Sequence, residues 1–295
     1  MSNFFLERYK RFGQDFDPSE VVLSPSIRVN TLKISESELI KRFKEKGVAL
    51  KKVSELKHCF TLDKQDFSLA STPEYLQGFF YIQEVASQVP ALVLDPKPGD
   101  SVLDMCAAPG SKTTQLAQLM NNKGVIIALD VKNDRLRVLG NNLERCGVEN
   151  VLVYNKDAKY VQDLSIQFDK VLLDAPCSGN FVIEKDWFMI RDIGGIVENS
   201  IVQRSLLKSA LSVLKPGGIL VYSTCSLEPE EDELVIDWLL NNFKVELEEI
   251  SLKLGSEGLI KVEKHVLSEE LIKTRRFWPN LSSTQGFFVA KIRKL

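Results

Sequence analysis

Long apolar runs are missing from this chain. No stretch approaches the ~20 residues that cross a bilayer as a helix, so no membrane span is expected. The opening Met1-Ser2-Asn3-Phe4-Phe5-Leu6-Glu7-Arg8 has neither a charged n-region nor a long apolar core, and no secretory leader is visible. Cysteine is sparse and odd in number: Cys59, Cys106, Cys146, Cys177 and Cys225, with no Cys-x-x-Cys pair. That argues against a disulfide framework and a zinc site, and for a reducing, cytoplasmic setting without a metal. Repeats and low-complexity segments are absent. Net charge is close to zero, −2 from 38 basic and 40 acidic residues, so bulk charge does not announce a nucleic-acid binder. What remains is the composition of a soluble globular protein, 44% hydrophobic and 26% charged over 295 residues. That length suggests one large domain and a smaller one.

Glycine is also scarce where a nucleotide-binding loop would want it. The stretch Ser101-Val102-Leu103-Asp104-Met105-Cys106-Ala107-Ala108-Pro109-Gly110-Ser111-Lys112-Thr113 starts as a buried strand. It breaks at small residues and Pro-Gly, then continues as a helix. A P-loop would need glycines where Cys106 and Ser111 stand, and G-x-G-x-x-G fails because Gly110 is the loop's only glycine. A strand, tight turn and helix start still form a cradle at the carboxyl end of a parallel sheet. The unpaired N–H groups of the helix start suit one carboxylate, such as the methionine end of S-adenosylmethionine. The plainer alternative is an ordinary strand-to-helix turn.

The flanking pattern divides in two. Residues 1 to about 20 read as a helix with a ragged exit. Ile27–Leu32 reads as a strand, and Ser35 with Glu38 as a capping box for a helix with Leu39, Ile40 and Phe43 inward, ending at Gly47. Val48–Leu50 and Cys59–Leu62 are further short strands. This small α+β unit is expected over 1–83, and Glu84–Leu94 reads as a helix leading into a second domain, 84–295. There, strands are expected at 101–105, 125–130, 151–155, 170–175 and 218–224. Helical stretches are expected at 113–121, 133–146, near 159–165, 198–214 and 230–242. The alternation predicts a doubly wound α/β parallel sheet. Lys244–Ile250 and Gly286–Arg293 are expected to close it as an antiparallel, hairpin-like pair, linked only by a weak helix at Ser268–Lys273.

Ligands of such sheets lie beyond the carboxyl ends of the strands. Four acids fall there: Asp104, Asp130, Asp157 and Asp174. Asp130 stands where an acid commonly holds ribose hydroxyls, and Asp157 is placed to accept from an adenine amino group. One such Asp is usually a cap or turn residue; four beside a small-residue loop point to a cofactor. Two thiols share the rim, Cys177 in Asp174-Ala175-Pro176-Cys177-Ser178-Gly179 and Cys225 in Tyr222-Ser223-Thr224-Cys225-Ser226. A buried cysteine is usually a small hydrophobe, but a thiol in one cleft with a methyl donor suggests covalent catalysis. Thiolate addition to carbon 6 of a pyrimidine makes carbon 5 nucleophilic, and an acid beside the ring stabilises the adduct. A second thiol can assist release. Cys59, Cys106 and Cys146 are expected to be structural.

These motifs resemble those of the RNA cytosine carbon-5 methyltransferases of the RsmB/Nop type, and among them the small archaeal tRNA enzymes. Arg28-Val29-Asn30-Thr31-Leu32-Lys33 and Gly286-Phe287-Phe288-Val289-Ala290 add to the likeness, which runs from about residue 25 to the end. The resemblance implies a Rossmann-like methyltransferase fold with a truncated RNA-recognition-like N-terminal unit, S-adenosylmethionine as cofactor and RNA as partner, tRNA above rRNA. It implies Cys225 as nucleophile, Cys177 as the cysteine that aids release, and Asp174 as the acid beside the cytosine. The cofactor site it implies is Cys106, Ala107, Ala108, Pro109, Gly110, Ser111 and Lys112 with Asp130, Arg135, Asp157 and Asp174. Departures are Ser111 in place of a frequent glycine, Asn180-Phe181 after Gly179, and the unusual segment Glu184–Gly195, expected to overhang the base pocket. DNA enzymes use the cysteine of the Pro-Cys motif, and the second rim thiol, Cys225, argues against that reading. A non-catalytic RNA-binding or assembly factor on the same fold is the alternative from another class. No oligomeric state is specified, with a monomer favoured.

Charge is distributed unevenly. Lys41, Arg42, Lys44, Lys46, Lys51 and Lys52 cluster near one end. Lys273, Arg275, Arg276, Lys291, Arg293 and Lys294 lie in the last 25 residues, and Glu228, Glu230, Glu231, Asp232 and Glu233 fall between. Two basic flanks around a less basic middle suit a phosphate backbone, whereas either cluster alone is more simply a solvated face.

Overall fold

The computed structural model describes residues 4–63 and 67–295. The expected N-terminal helix is the short α1, Phe4–Arg11, followed by one 3₁₀ turn at Pro18–Glu20; residues 1–3 of that expectation lie outside the described residues.

A small antiparallel sheet comes first. It contains β1 (Ser26–Val29), β2 (Leu50–Lys52), β3 (Cys59–Leu62) and β4 (Phe80–Ile82) in the order β2-β3-β1-β4. Helix α2, Glu36–Glu45, buries Leu39 and Phe43 against Ile27, Val29, Phe60, Leu62 and Phe80. Ser35 caps it by accepting from the Glu38 N–H at 3.2 Å. Only half of the capping box forms, because Glu38 turns its carboxylate to Arg42 at 3.1 Å. β4 is absent from the sequence reading: three residues after a Gly turn are too short to show alternation.

The second unit is built on a nine-stranded sheet. Its parallel part is β5 (Ser101–Asp104), β6 (Val125–Asp130), β7 (Val151–Asn155), β8 (Phe168–Asp174) and β9 (Leu214–Thr224). The order β9-β8-β5-β6-β7 reverses direction at β5, the switch point where a crevice opens. Alternation in the strands sorts their side chains to two faces. Leu103, Leu129, Leu173 and Leu220 pack on one, against Leu207 and Ala210 of α8 (Ile193–Val213) and Val235 and Leu239 of α9 (Glu233–Asn242). Val102, Ile126, Leu172 and Val221 pack on the other, against α4 (Val89–Leu94) and α5 (Ser111–Leu119). The period of two in the sequence is thus the two-sided burial of the sheet.

The far edge departs from a simple hairpin. β15 (Phe287–Lys294) lies antiparallel to β9. Its other edge is shared end to end by β10 (Val245–Glu248) and β14 (Arg275–Phe277). β10 and β15 do pair antiparallel, but the strand Arg275–Phe277 between them in sequence takes half of the ladder. The expectation missed it because Arg275 and Arg276 read as tail charge. Ser268 caps a 3₁₀ turn, Glu269–Lys273, where the weak helix was expected.

The small sheet is bonded to the second unit at the start of α5. Arg28 of β1 is 1% exposed, and burial pulls its guanidinium down to about 10. It donates to Ser111 O at 2.7 Å and Thr114 Oγ1 at 2.8 Å. Asn30 Nδ2 donates to Cys146 O at 2.8 Å, at the end of α6 (Asn133–Cys146). The stretch Arg28–Asn30 therefore fixes the small unit against the helices that frame the crevice.

Candidate active site

The loop after β5 is shaped by one glycine and one carboxylate. Gly110 has φ +106°, a conformation that favours glycine, and a Cβ there would also press on Leu139 Cδ1 of α6 at 2.8 Å. The Ala108–Pro109 peptide is cis. Asp130, at the end of β6, accepts from the backbone N–H of Ala108 at 3.2 Å and of Lys132 at 3.1 Å, and Arg135 Nη1 stands 3.4 Å from it. Arg135 also donates to Ala108 O.

A cleft of about 470 Å³ opens over these strand ends. Cys106, Ala108, Asp130, Arg135, Asp157, Asp174, Cys177 and Cys225 all line it. Ala107, Pro109, Gly110, Ser111 and Lys112 do not. They support the wall from behind: Lys112 Nζ donates to Asp174 Oδ2 at 2.7 Å and to Ser87 Oγ at 3.2 Å. Asp174 accepts a second bond from Ser223 Oγ at 2.7 Å. Asp157 keeps an ordinary local duty, accepting from Lys159 N at 2.9 Å to cap the 3₁₀ segment Ala158–Leu164. Sequence reading missed Val131, Ala158, Val202 and Leu206, the apolar walls of the cleft, because single apolar residues carry no signature.

The two rim thiols meet. Cys177 Sγ and Cys225 Sγ are 3.1 Å apart, both free and partly exposed. The hydrogen bond with Cys225, and then burial, push the Cys177 thiol well up. Cys106, by contrast, is pushed up by burial and the neighbouring Asp104, Asp174 and Asp130, and has the character of an inert buried thiol. Asp104 is held to about 7 by burial; Thr113 donates to it at 2.8 Å.

One expectation is corrected, that of a basic track at the C-terminal end. The acidic run does not face solvent: Glu228, Glu231, Asp232 and Glu233 are all 0% exposed. Arg276 binds Asp232 at 3.1 Å and is bidentate to Glu233, while Arg8 binds Glu228 at 2.7 Å and Glu230 at 2.5 Å. Pairing offsets part of the cost of such deep burial, which still raises the Glu228 carboxyl to about 7 and lifts that of Asp232. The C-terminal basic flank is therefore not a phosphate track. Arg276 is 0% exposed, Lys291 and Arg293 are spent on Glu248, and Lys294 donates to Leu211 O and Leu214 O. The segment Glu184–Gly195 does not line the main cleft. Trp187, the first residue of α7 (Trp187–Ile190), is buried against Phe5 and donates to Ser178 O at 2.9 Å, because so large an apolar ring belongs in a core. The segment instead walls a separate cleft of about 290 Å³ that shares Cys177 and Ser178.

A doubly wound sheet with acids and thiols at its strand ends is an α/β Rossmann-like methyltransferase. The chain belongs to the RsmB/F family: the model described as 16S rRNA methyltransferase RsmB/F matches residues 91–293, and that of the N-terminal domain of RsmF matches 1–85. It is 44% identical to the tRNA (cytosine(49)-C(5))-methyltransferase of Pyrococcus abyssi, over 92% of this chain and 88% of that protein. It is 43% identical to ribosomal RNA small subunit methyltransferase F of Vibrio atlanticus over 92% of this chain, spanning 58% of that protein's length. It is 37% identical to a human 28S rRNA (cytosine(4447)-C(5))-methyltransferase over 94% of this chain and 35% of that protein. A methyltransferase homologue from Pyrococcus horikoshii superposes over the whole of both chains with a TM-score of 0.87 at 45% identity. NSun6 from the same organism, solved with the S-adenosylmethionine analogue SFG, does so with 0.83 at 31% identity, over 93% of this chain and 91% of that one. The protein is an S-adenosylmethionine-dependent RNA cytosine carbon-5 methyltransferase. Among the described residues no helix is long and apolar enough to cross a membrane.

Proposed function

We propose that this enzyme methylates cytosine in tRNA through a covalent adduct on Cys225, with residues 1–83 as the RNA-binding unit and 84–295 as the transfer unit. The observation that carries the covalent reading is the contact between Cys177 and Cys225 on the rim of a cleft that also holds Asp174. Cys225 Sγ adds to carbon 6 of the cytosine, and the electrons of the 5,6 double bond pass to carbon 5. Asp174, fixed by Lys112 and Ser223, stands beside the ring and stabilises the adduct. Bound S-adenosylmethionine supplies the electrophilic methyl group. After transfer a base takes the carbon 5 proton, the carbon–hydrogen electron pair re-forms the 5,6 double bond, and Cys225 leaves as thiolate with the assistance of Cys177. The free cysteines fit a reducing, cytoplasmic setting.

The cleft suits the cofactor chemically. Asp130 and Asp157 are carboxylates for ribose hydroxyls and an adenine amino group, and Val131, Ala158 and Leu206 offer an apolar slot for a ring. The tRNA reading rests on the archaeal relative, which the chain matches over 88% of its length. The rRNA names among the relatives favour the second substrate. Incubating purified enzyme with S-adenosylmethionine and either unmodified tRNA or unmodified rRNA, followed by bisulfite sequencing, separates the two. New 5-methylcytosine is expected in tRNA; methylation confined to rRNA would overturn the substrate assignment.

A further inference from the structure

The loops that carry the rim thiols leave neighbouring strands of the sheet. Cys177 follows β8 and Cys225 follows β9, and these strands pair in parallel with Asp174 opposite Ser223. Beyond the strands the loops are laced together. Asn180 Nδ2 donates to Cys225 O at 2.8 Å and to Gly286 O at 3.0 Å, and Ser178 Oγ lies 3.3 Å from Ser226 Oγ. So held, the loops bring Cys177 Sγ to 3.1 Å from Cys225 Sγ. A disulfide needs about 2.05 Å, so roughly 1 Å of approach would join the sulfurs. Neither thiol is sealed in. Both line the main cleft, and Cys177 also lines the separate cleft of about 290 Å³, which shares no other lining residue with the first. A small solute therefore has a path to the pair that does not pass the cofactor walls.

We propose that Cys177 and Cys225 form a reversible disulfide that switches methyl transfer off, with a peroxide as the oxidant. The thiolate of either residue attacks one oxygen of hydrogen peroxide. The oxygen–oxygen bond breaks, and the other oxygen leaves as hydroxide and takes up a proton to become water. The attacking sulfur now carries a hydroxyl, as a sulfenic acid. The partner sulfur, having lost its own proton, attacks the sulfenic sulfur. The sulfur–sulfur bond forms, the sulfur–oxygen bond breaks, and the departing hydroxide takes the second proton. Two thiols and one peroxide thus give one disulfide and two waters, with two electrons passing from sulfur to oxygen. A dithiol reverses the bond by two successive exchanges. Disulfides of reducing compartments are usually transient and redox-sensing. A resolving cysteine at contact distance stops oxidation before the irreversible sulfinic acid. In the disulfide neither sulfur is a thiolate, so neither can add to carbon 6. That loss of activity rests on the covalent reading; the formation of the bond does not.

The test treats the full chain with graded hydrogen peroxide and caps the remaining thiols with N-ethylmaleimide under denaturing conditions. Peptide mass spectrometry then reads the state of each cysteine. In parallel, methyl transfer from S-adenosylmethionine is measured on whichever of unmodified tRNA or rRNA the untreated enzyme methylates. A cross-linked Cys177–Cys225 peptide, two hydrogens lighter than its parts, is expected to accumulate while Cys59, Cys106 and Cys146 stay free for the maleimide. Methylation should fall in proportion to the cross-link, and dithiothreitol should restore both. Inactivation with both rim thiols still capped by maleimide, or with either sulfur carried on to the sulfinic acid, would overturn the switch and leave the covalent reading standing. A cross-linked chain that methylates at the untreated rate would overturn both.

Discussion

Lys112, the second residue of α5, and Asp174, the last residue of β8, form an ion pair at 2.7 Å across 62 residues of sequence. The ammonium group is nearly buried and the carboxylate is about one-quarter exposed, which leaves one edge of Asp174 open to the cleft. The cation therefore orients an acid, and its contribution to the cofactor loop is to tie α5 to the neighbouring strand.

Lys112→Met should weaken methyl transfer more than tenfold, about 1.4 kcal/mol or more in the barrier, because Asp174 is then oriented by Ser223 alone. Breaking a fully buried pair costs about 3–5 kcal/mol, and partial exposure of Asp174 makes the loss smaller here. Thermal melts alongside single-turnover methylation check both parts. Unchanged turnover in the folded variant would remove Asp174 orientation from the reaction.

The thiols should differ in what their loss does. Cys225→Ala cannot form the sulfur–carbon 6 bond and should show no RNA adduct. Cys177→Ala can still attack and transfer, but should stall in release. Denaturing gels after incubation with substrate RNA and S-adenosylmethionine should show a slow protein–RNA band only for Cys177→Ala. The reverse pattern exchanges the roles, and methylation intact in both variants removes covalent catalysis.

The exposed basic helix remains the candidate RNA track. Arg42, Lys46, Lys51 and Lys52 have carboxylate partners, but among the described residues Lys41 and Lys44 have none. Replacing both by Ala should flatten the dependence of RNA affinity on salt by roughly 0.7–0.9 log units per lost phosphate contact. Arg276→Met is the contrast: it should lower the melting temperature strongly, at about 3–5 kcal/mol for a broken buried pair. Filter binding over a salt series reads the first and thermal melts the second. An unaltered slope places the RNA path elsewhere.

Asp104 makes stability depend on pH. Its folded carboxyl titrates at about 7 because it is buried, well above its unfolded value of about 3.9. Between those values the native state holds a proton that the unfolded chain has lost, so stability falls as pH rises and levels off above the folded value. Glu84 and Glu228, also at about 7 through burial, act in the same direction. Asp104→Asn should therefore reduce, without abolishing, the drop in melting temperature between pH 5 and pH 8. An identical drop in variant and wild type would show that Asp104 is ionised throughout.

Local pattern determined much of this protein. The alternation in Val102–Asp104, Ile126–Asp130 and Val171–Asp174 specifies strands buried on both faces, and the turn residues after them set acids and thiols on one rim. Such features are encoded within a few residues, by side-chain periodicity and by the backbone freedom of glycine. Tertiary structure alone decided which charges are spent inside. Glu233 meets Arg276 across 43 residues and Glu228 meets Arg8 across 220. In sequence these acids and bases are indistinguishable from a solvated face. Whether a charge is solvated or paired depends on the distant residue that shares its cavity, and no local window contains that residue. Glu231 is the same case in another form: its neighbours in the chain are acids, and its partners in space are Ser178, which follows Cys177, and Asn199.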